Sequence, residues 1–537
     1  MLRVRWLGRV AYREALDLQT ALYDYGTDQH LLLLEHPHVF THGPRSDLSA
    51  NLRCDPGAVG AELVAVRRGG DITYHGPGQL VGYPILNVGN SLGAAAHVHG
   101  VEQLVIDTLT ELGLPDVGRL DQYPGVWVEP AGPNARKICA IGVRLGGGRT
   151  MHGFALNVAP DLTYMREHIV PCGIGDRPVT SLAEEGVGCS MREVVDVVSQ
   201  LAVGRFGAGS GERQDVAWRH LPSDLSAFSR GEHDVAPARG ERRLAEAGVV
   251  GGLTVATRKP EWLRPRVRHG AEVLDVRRTL RDLDLVTVCE EAGCPNVSEC
   301  WTDGTATFMV LGERCTRACG FCLVDTRKPE PATADEPHRV AQAVARMGLE
   351  YAVLTMVARD DLPDGGMAHV AECVRAIRRT RPDTRVETLV SDARGDREAL
   401  DVLFDSRPDV FNHNIETVAR LQRSARPSAG YARSLGVLAR ARRAGLTTKS
   451  GLVVGMGEEP EEVIGCLADL AGVGVSIVTI GQYLRPTSRH LPVARFVHPD
   501  EFSAWATAGE ALGIGHVEAS PLTRSSYHAR QAAAHVT

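Results

Sequence analysis

The sequence predicts an α/β protein of two domains, from the length of the chain, a polar segment in its middle and a regular alternation of apolar runs with helical stretches. At 537 residues the chain exceeds the ~150 residues of a typical single domain. Residues 204–252 are rich in Gly, Ser, Arg, Glu and Ala, a composition typical of an interdomain linker. We therefore predict one domain at residues 1–205, a linker at 206–250 and a second domain at 251–537.

The composition excludes several functional classes. Lys and Arg number 59 against 66 Asp and Glu, a net charge of −7, so no basic excess favours binding to nucleic acid or a membrane. No run of ~18 apolar residues predicts a membrane helix, and Met1–Trp6 lacks the apolar core of a signal peptide. We expect a cytoplasmic protein. Its 12 cysteines then serve as metal ligands, catalysts or buried thiols rather than disulfides.

The sequence of the N-terminal half predicts a mixed-sheet α/β domain. The apolar runs Leu31–Leu34, Val126–Val128 and Ile138–Leu145 indicate strands, and Val101–Leu112 has the apolar spacing of a helix. No repeat relates this half to the rest of the chain.

The C-terminal half repeats a strand-then-helix order, which favours parallel strands with outer helices in a partial (β/α) barrel. The predicted strands are Tyr351–Thr355, Val386–Val390, Val410–Asn412, Thr448–Val454 and Ile477–Ile480. The predicted helices are Pro337–Met347, Met367–Arg379 and Pro460–Ala471.

Cys172 is the candidate nucleophile of the first domain, because it lies in a Pro-Cys-Gly turn that favours an accessible loop. A single cysteine is more often a buried small hydrophobe. A free thiol with a pKa of about 8.5 is only ~3% thiolate at pH 7, and a nearby ammonium increases that fraction. Lys137 is the candidate for this charge, although the sequence does not show that the two side chains meet.

Two cysteine triplets predict iron–sulfur chemistry in the second domain. The spacing Cys315-x3-Cys319-x2-Cys322, with Phe321 before the last cysteine, is the signature of the radical S-adenosylmethionine superfamily. Zinc is the alternative, but zinc sites usually take four Cys or His ligands. Three thiolates instead suit a [4Fe–4S] cluster with one iron open to S-adenosylmethionine. The upstream triplet, Cys289-x4-Cys294-x5-Cys300, needs a fourth ligand from elsewhere or leaves an iron open.

The first domain resembles the octanoyltransferases of lipoate biosynthesis over about residues 1–205. The matching segments are RGGDITYHGPGQLVGYP, GVWVE, KICAIGVR, HGFALNV, IVPCGI and VTSL. The resemblance implies a fold like that of biotin and lipoate protein ligases, and transfer of octanoyl from octanoyl-acyl carrier protein to a lysine of a lipoyl domain. It implies that Cys172 forms an acyl thioester and that Lys137 activates it. It also implies an acyl pocket lined by Arg68, Gly69, Gly70, Asp71, Ile72, Thr73, Tyr74, His75, Ala140, Ile141, Gly142, Gly153, Phe154 and Ala155.

The second domain resembles lipoyl synthase over about residues 258–530. The matching segments include KPEWLR, TVCEEAGCPNVSECW, GERCTRACGFCLVDT, DDLPDGG, FNHNIET, KSGLVVGMGE and RSSYHA. The resemblance implies two [4Fe–4S] clusters, S-adenosyl-L-methionine as cofactor, and sulfur insertion at C6 and C8 of an octanoyl chain. One cluster is held by Cys315, Cys319 and Cys322. The other, auxiliary cluster is held by Cys289, Cys294, Cys300 and Ser526, and is consumed as the sulfur donor.

The two resemblances together imply a bifunctional enzyme. Its partners would be octanoyl-acyl carrier protein, the lipoyl domains of 2-oxoacid dehydrogenases or the glycine cleavage H protein, and an electron donor, with no nucleic acid and no membrane. The sequences of residues 355–359 and 386–395 differ from those usual in the lipoyl synthase family. The resemblance therefore does not determine which residues contact the cofactor there. The alternatives are that only one half is active and the other is an interaction module, or that the chain is a non-catalytic iron–sulfur redox or zinc protein.

Overall fold

The chain forms two compact units, Met1–Trp218 and Arg219–Thr537, in a computed structural model. The structure describes residues 1–89, 93–121, 123–218, 243–245, 247–249, 251–253, 257–264, 278–283, 285–287, 296–302 and 305–536. Among the helices of these residues, none has the length and apolar character that crossing a membrane requires.

The described residues of the first unit form eleven strands and five helices. The strands are β1 Leu2–Arg9, β2 Gln29–Glu35, β3 Val39–His42, β4 Glu62–Ala65, β5 Thr73–His75, β6 Gln79–Ile85, β7 Val117–Leu120, β8 Tyr123–Val128, β9 Arg136–Gly146, β10 Arg149–Asn157 and β11 Gly211–Asp215. The helices are α1 Tyr12–Asp24, α2 Leu48–Asn51, α3 Ala94–Glu111, α4 Thr163–Arg166 and α5 Met191–Phe206, with 3-10 turns at Gly57–Val59 and Pro171–Gly173.

Eight of these strands form one mixed sheet, which confirms the predicted fold of the first domain. Its order is β11-β1-β2-β6-β10-β9-β8-β7, and a small second sheet has the order β4-β3-β5. Strand β1 is parallel to β2 and β11, whereas β6, β10 and β9 pair antiparallel. Helices α3 and α5 cover one face, where Val101, Leu104 and Val198 pack against strand residues such as Leu31 and Leu156.

Strand β11 lies inside the range predicted as linker, so the first unit extends beyond residue 205. The strand pairs with β1 in parallel, from Leu2 opposite Gly211 to Trp6 opposite Asp215. Its Glu212 forms ion pairs with two buried arginines, Arg3 at 2.7 Å and Arg5 at 3.0 Å. Polar composition suggested a linker, but β11 is an edge strand, whose outward side chains remain polar.

The second unit contains a second sheet of eight strands. They are β12 Val286–Thr287, β13 Thr305–Val310, β14 Tyr351–Met356, β15 Arg385–Leu389, β16 Val410–Asn412, β17 Thr447–Val454, β18 Ile477–Gln482 and β19 His516–Ala519. The helices of the described residues are α6 Val297–Thr302, α7 Glu336–Arg346, α8 Met367–Thr380, α9 Arg397–Asp405, α10 Gln422–Ala425, α11 Tyr431–Arg443, α12 Pro460–Gly472, α13 Pro499–Ala511 and α14 Ala529–Val536. Short 3-10 turns lie at Glu261–Leu263, Ala393–Gly395 and Ala419–Leu421.

This sheet confirms the parallel α/β fold predicted for the second domain. The strands follow chain order from β12 to β19, and every pair from β13 onward is parallel. Since the strands are parallel, their carboxyl ends meet at one edge of the sheet, where the loops that carry function in such folds gather. The last helix, α14, packs Ala529 and Ala533 against Tyr351, Val353 and Val410 of the sheet.

Candidate active sites

A cavity of about 470 Å³ in the first unit brings together the polar and glycine-rich segments of its sequence. It lies between strands β5, β9 and β10 and the turn that carries Cys172. Its lining includes both Lys137 and Cys172, which are far apart in the sequence.

Cys172 occupies an unusual backbone conformation at the edge of this cavity. Its φ of 57° lies in the left-handed region, which is unfavourable in free energy for any residue that has a Cβ atom. Residues in such strained conformations are concentrated at functional sites. The Cys172 N–H donates a hydrogen bond of 2.8 Å to the Ile72 carbonyl, which anchors the turn to the segment before β5. The side chain is half-buried and not paired in a disulfide.

Lys137 is a buried cation whose ammonium group faces the same cavity. Its Nζ lies 5.3 Å from the centroid of the Trp127 ring, and no described carboxylate forms an ion pair with it. The backbone is fixed on both sides, because the Lys137 N–H donates to Pro178 and its carbonyl accepts from Thr180. Only Gly fits at position 125, where a Cβ would lie 2.6 Å from the Lys137 side chain.

The neighbouring thiol of Cys139 lies near both groups. Burial raises the pKa of Cys139, a backbone hydrogen bond and the charge of Lys137 lower it, and the charges of Glu102 and Cys172 raise it again. Lys137 and Cys172 thus lie on either side of one buried thiol and line the same cavity.

Most of the residues expected in the acyl pocket line the cavity. They are Arg68, Gly69, Gly70, Thr73, His75, Ala140, Ile141, Gly142, Gly153, Phe154 and Ala155. Asp71, Ile72 and Tyr74 do not. Successive side chains of a strand point to opposite faces, so Thr73 and His75 face the cavity while Tyr74 packs with Ile72 in a separate apolar cluster. Asp71 accepts hydrogen bonds from the Ile72 N–H and from Asn51.

Tyr12, Tyr83 and His36 were not among the residues expected at the pocket. Tyr83 lies within the matching segment RGGDITYHGPGQLVGYP, whereas Tyr12 and His36 lie in none of the matching segments. Tyr12 and Tyr83 line the cavity, and His36 Nε2 accepts a hydrogen bond of 2.8 Å from the Tyr83 hydroxyl. Burial lowers the pKa of His36 to about 4 and raises that of Tyr12 to about 12. This end of the cavity is therefore polar and, apart from Arg68, uncharged at neutral pH.

In the second unit, Cys315, Cys319 and Cys322 share the loop after β13, at the carboxyl edge of the sheet. The loop is held by backbone hydrogen bonds, from Cys315 N–H to Asp325 and from Gly320 N–H to Ala425. His490 Nε2 donates to the Cys322 carbonyl at 2.8 Å.

The three thiols lie close enough to affect one another. Burial raises the pKa of Cys319 to about 11 and that of Cys322 to about 12, and each is raised further by its neighbouring thiols. Burial also raises the pKa of Cys315. Three half-buried cysteines in one loop fit an iron–sulfur cluster, whose cations compensate the charge of the thiolates. In the described part of the chain, no three His, Cys, Asp or Glu side chains converge as ligands of a single metal ion.

The second triplet is described in part. Cys289 and Cys294 lie outside the described residues, and Cys300 lies on α6. Its thiol raises the pKa of Tyr527, after the larger effects of burial and of Glu299. Asn296 Nδ2 also donates a hydrogen bond of 2.7 Å to the Leu522 carbonyl. The structure thus brings Cys300 close to the terminal segment that contains Ser526.

Comparison with known proteins matches both units to described families. Residues 11–201 match the lipoyl protein ligase A/B catalytic domain, residues 231–294 the N-terminal domain of lipoyl synthase, and residues 309–470 the radical SAM superfamily.

Curated relatives match about half of this chain over most of their own length. A lipoyl synthase of Rubrobacter xylanophilus is 53% identical over 275 residues, which cover 51% of this chain and 86% of the relative. A lipoyl synthase of Mycobacterium avium is 52% identical over 296 residues, covering 54% and 96%. Among solved structures, a bipartite lipoate protein ligase of Thermoplasma acidophilum has 17% identity and a TM-score of 0.34, over 42% of this chain and 89% of that one.

These matches agree with an enzyme that has a transferase unit and a sulfur-inserting unit, for which the radical SAM family implies S-adenosylmethionine and iron–sulfur clusters. The chain belongs to the lipoyl synthase family of radical S-adenosylmethionine enzymes and carries a lipoyl protein ligase A/B catalytic domain in the same polypeptide.

Proposed function

We propose that this chain is a bifunctional enzyme of lipoate biosynthesis. It transfers octanoyl from octanoyl-acyl carrier protein to a lipoyl-domain lysine through a thioester on Cys172, and then inserts sulfur at C6 and C8. The observation that supports it most is the meeting of a strained cysteine and an unpaired buried ammonium at one cavity. Such a pair suits acyl transfer through a cysteine, because a nearby ammonium favours the thiolate that acts as the nucleophile.

The transfer divides into two displacements at the same carbonyl carbon. The Cys172 thiolate attacks the octanoyl thioester, a new C–S bond forms, and the carrier thiolate leaves and takes up a proton. The lysine amine of the acceptor then attacks the Cys172 thioester, an amide forms, and the Cys172 thiolate leaves while the amine loses a proton. Lys137 stabilises the thiolate of Cys172 before the first step and after the second.

The cavity lining favours an acyl chain over a polar donor. Phe154, Ala155, Ile141 and Val81 provide apolar contact. The glycines at 142 and 153 keep the strands close, since a Cβ on Gly153 would lie 2.2 Å from the Gly82 carbonyl.

The second unit supplies the ligands for the sulfur insertion. Cys315, Cys319 and Cys322 would hold the cluster that binds S-adenosylmethionine, and Cys289, Cys294, Cys300 and Ser526 would hold the auxiliary cluster. When bound, the clusters and the cofactor supply the electron, the carbon radical and the sulfur that this chemistry consumes. The protein also holds the cysteine loop in place. Arg317 forms ion pairs with Asp360 and Asp392, which connect the loop to the ends of neighbouring strands.

An anaerobic assay of the full chain tests the proposal. The protein receives octanoyl-acyl carrier protein, an apo lipoyl domain, S-adenosylmethionine and a reductant. We expect an octanoyl adduct on Cys172 by intact and peptide mass spectrometry, followed by lipoyl-lysine on the acceptor. Iron and sulfide content of the anaerobically purified protein should equal that of two clusters, and zinc in place of iron would contradict the second activity.

The control separates the two activities. Cys172→Ala should abolish octanoyl transfer but still convert a pre-octanoylated lipoyl domain. Cys319→Ala should transfer octanoyl and fail to insert sulfur. Octanoyl found on another residue, or conversion lost in both variants, would contradict the assignment of one activity to each unit.

A further inference from the structure

A buried carboxylate on helix α3 is hydrogen-bonded to the strand that lies beside Lys137. Glu102 is 3% exposed, and each of its two oxygens accepts a hydrogen bond. Arg119 Nε donates to Oε2 at 2.9 Å, and the Gly125 N–H donates to Oε1 at 3.1 Å. Burying a carboxylate is unfavourable unless the group is paired and hydrogen-bonded, and both conditions are met here.

Gly125 carries the effect of this hydrogen bond to Lys137. Its φ of 130° favours glycine, and a Cβ at this position would lie 2.6 Å from Lys137 Cε and 2.5 Å from the Cys139 carbonyl oxygen. The Gly125 backbone therefore lies directly against the end of the Lys137 side chain. A movement of this peptide would change the space into which the ammonium can turn.

The rest of strand β8 confines Lys137 from the same side. Trp127 Nε1 donates a hydrogen bond of 3.0 Å to the Tyr123 carbonyl, and the Trp127 ring centroid lies 5.3 Å from Lys137 Nζ. Tyr123 also lines the cavity. The register between β8 and β9 shifts just before Trp127, and such irregularities re-aim side chains next to active sites. The hydrogen bond from Glu102 fixes the strand at this irregular point.

The carboxylate holds the strand without cancelling the charge of Lys137. Arg119 already neutralises Glu102 through the ion pair of 2.9 Å. Among the residues that the structure describes, no ion pair joins Glu102 to Lys137. The ammonium therefore stays available to a thiolate at Cys172.

We propose that Glu102 is a positioning residue of the transferase, which acts through the Gly125 N–H to hold the Lys137 ammonium at the cavity that Cys172 lines. This role rests on the proposed function of Lys137 and Cys172. The effect of Glu102 on the reaction passes entirely through the position of Lys137.

Two conservative substitutions of Glu102 separate positioning from the ion pair. Glu102→Asp keeps the charge, and the partly exposed Arg119 can follow it, but the carboxylate is withdrawn from the Gly125 N–H by one methylene. Glu102→Gln keeps an oxygen at the same reach and loses the charge, while Arg119 retains its hydrogen bonds to the His99 carbonyl and to Gln103. Positioning therefore predicts that Asp is the harmful change, whereas an ion pair needed only for stability predicts that Gln is.

The rate of Cys172 alkylation by iodoacetamide reports its thiolate across pH, and peptide mass spectrometry measures it in the full chain without an acyl donor. In Glu102→Asp the profile should lie about 0.5 pH unit or more above wild type, with alkylation at pH 7 roughly threefold slower. Glu102→Gln should keep the wild-type profile. In the Lys137→Ala background, Glu102→Asp should cause no further shift, because it acts through Lys137.

Glu212→Ala is the matched control. It removes a carboxylate that is paired with two buried arginines at the opposite edge of the same sheet, so it should lower stability and leave the alkylation profile unchanged. Three results would overturn the proposal: an unchanged profile in Glu102→Asp, a shift in Glu102→Gln alone, or an equal shift with and without Lys137.

Urea unfolding at pH 7 identifies a variant that loses its fold. Should Glu102→Asp do so, Gly125→Ala places a methyl group against Lys137 directly and should shift the profile in the same direction, and the absence of that shift would overturn the proposal. If no octanoyl adduct forms on Cys172 while its alkylation profile still depends on residue 102, the proposed transfer fails and the positioning role stands.

Discussion

Cys172 and Lys137 illustrate how single residues prepare this chain for chemistry. The φ of 57° at Cys172 is retained only because the hydrogen bond to Ile72 and the glycine that follows hold the turn. Lys137 is buried beside Trp127 without a described carboxylate partner, so its charge is available to an anion in the cavity. In a structural salt bridge, a carboxylate would neutralise that charge and the ion pair would serve the stability of the fold.

Removal of the Lys137 charge should move the pH dependence of acylation. In Lys137→Ala, the rate of octanoyl adduct formation should rise at a pH roughly 1–2 units higher than in wild type, because no ammonium stabilises the Cys172 thiolate. Lys137→Arg, which keeps a positive charge, is the matched control and should shift the profile less. An unchanged profile with weaker donor binding would make Lys137 a docking residue.

Buried histidines should make the first unit sensitive to acid, and one of them is His36, which is hydrogen-bonded to Tyr83 of the cavity. Burial lowers the pKa of His36 to about 4, below the ordinary value near 6.5, so the unfolded chain takes up its proton first as the pH falls. The free energy of unfolding should therefore decrease between about pH 6.5 and pH 4, with His36 contributing about 2 kcal/mol of the loss at pH 5.

Urea unfolding at pH 7 and pH 5 checks this expectation. His36→Gln should show a smaller difference between the two pH values than wild type, whatever its absolute stability. His99→Gln, at an exposed position, should retain the full difference. A pH dependence that is the same in all three proteins would show that other groups cause the acid sensitivity.

At the scale of elements, β11 shows that the first unit is completed by a strand from beyond α5. Glu212 of this strand pairs with Arg3 and Arg5, which are 5% and 2% exposed. Replacement of Glu212 by Ala should lower the free energy of unfolding by about 2–3 kcal/mol, because it removes an acid partner from two buried arginines.

The matched control is another glutamate in an ion pair at the surface. Glu184 pairs with Arg166, and both side chains are nearly half exposed, so Glu184→Ala should change the stability by less than about 1 kcal/mol. Both variants are compared by urea unfolding of the full chain, followed through a signal of the first unit such as Trp6 and Trp218 fluorescence. The rings of these tryptophans stack at 4.3 Å, between β1 and the segment after β11. Equal effects of the two substitutions would place β11 outside the folded unit.

At the scale of the whole molecule, the proposed function requires one acceptor lysine to visit two active sites, one in each unit. The linkage joins the two catalysts to each other and not to the acceptor, so the octanoylated domain must dissociate before its second reaction. We therefore expect that two full-length variants, Cys172→Ala and Cys319→Ala, each inactive in the overall reaction, restore lipoyl formation when mixed.

The concentration dependence of this mixture measures the benefit of the fusion. At high protein concentration the mixture should reach the rate of wild type with the same number of active sites. At low concentration wild type should be modestly faster, because the released acceptor is still near the second site. Equal rates at every concentration would show that the fusion gives no proximity effect, and no rescue at all would show that the acceptor passes directly between sites of one chain.

The sequence by itself determined the fold class of both halves, and it predicted the chemistry that we propose for them. Apolar runs such as Leu31–Leu34 and Thr448–Val454 became buried strands because hydrophobic periodicity is a local property that neighbouring residues already specify. The spacing of Cys315, Cys319 and Cys322 is local too, so the loop that contains them could be predicted without knowledge of the sheet.

Only the tertiary structure decided what depends on contacts between distant residues. The sequence could not show that Lys137 and Cys172 share a cavity, that Tyr74 points away from it while Thr73 and His75 face it, or that residues after 205 return to pair with β1. It also could not indicate that His152 Nδ1 is buried without a hydrogen-bond partner among the described residues. Register and side-chain direction are set by pairing across the sheet, and a pattern read along one chain segment does not contain that information.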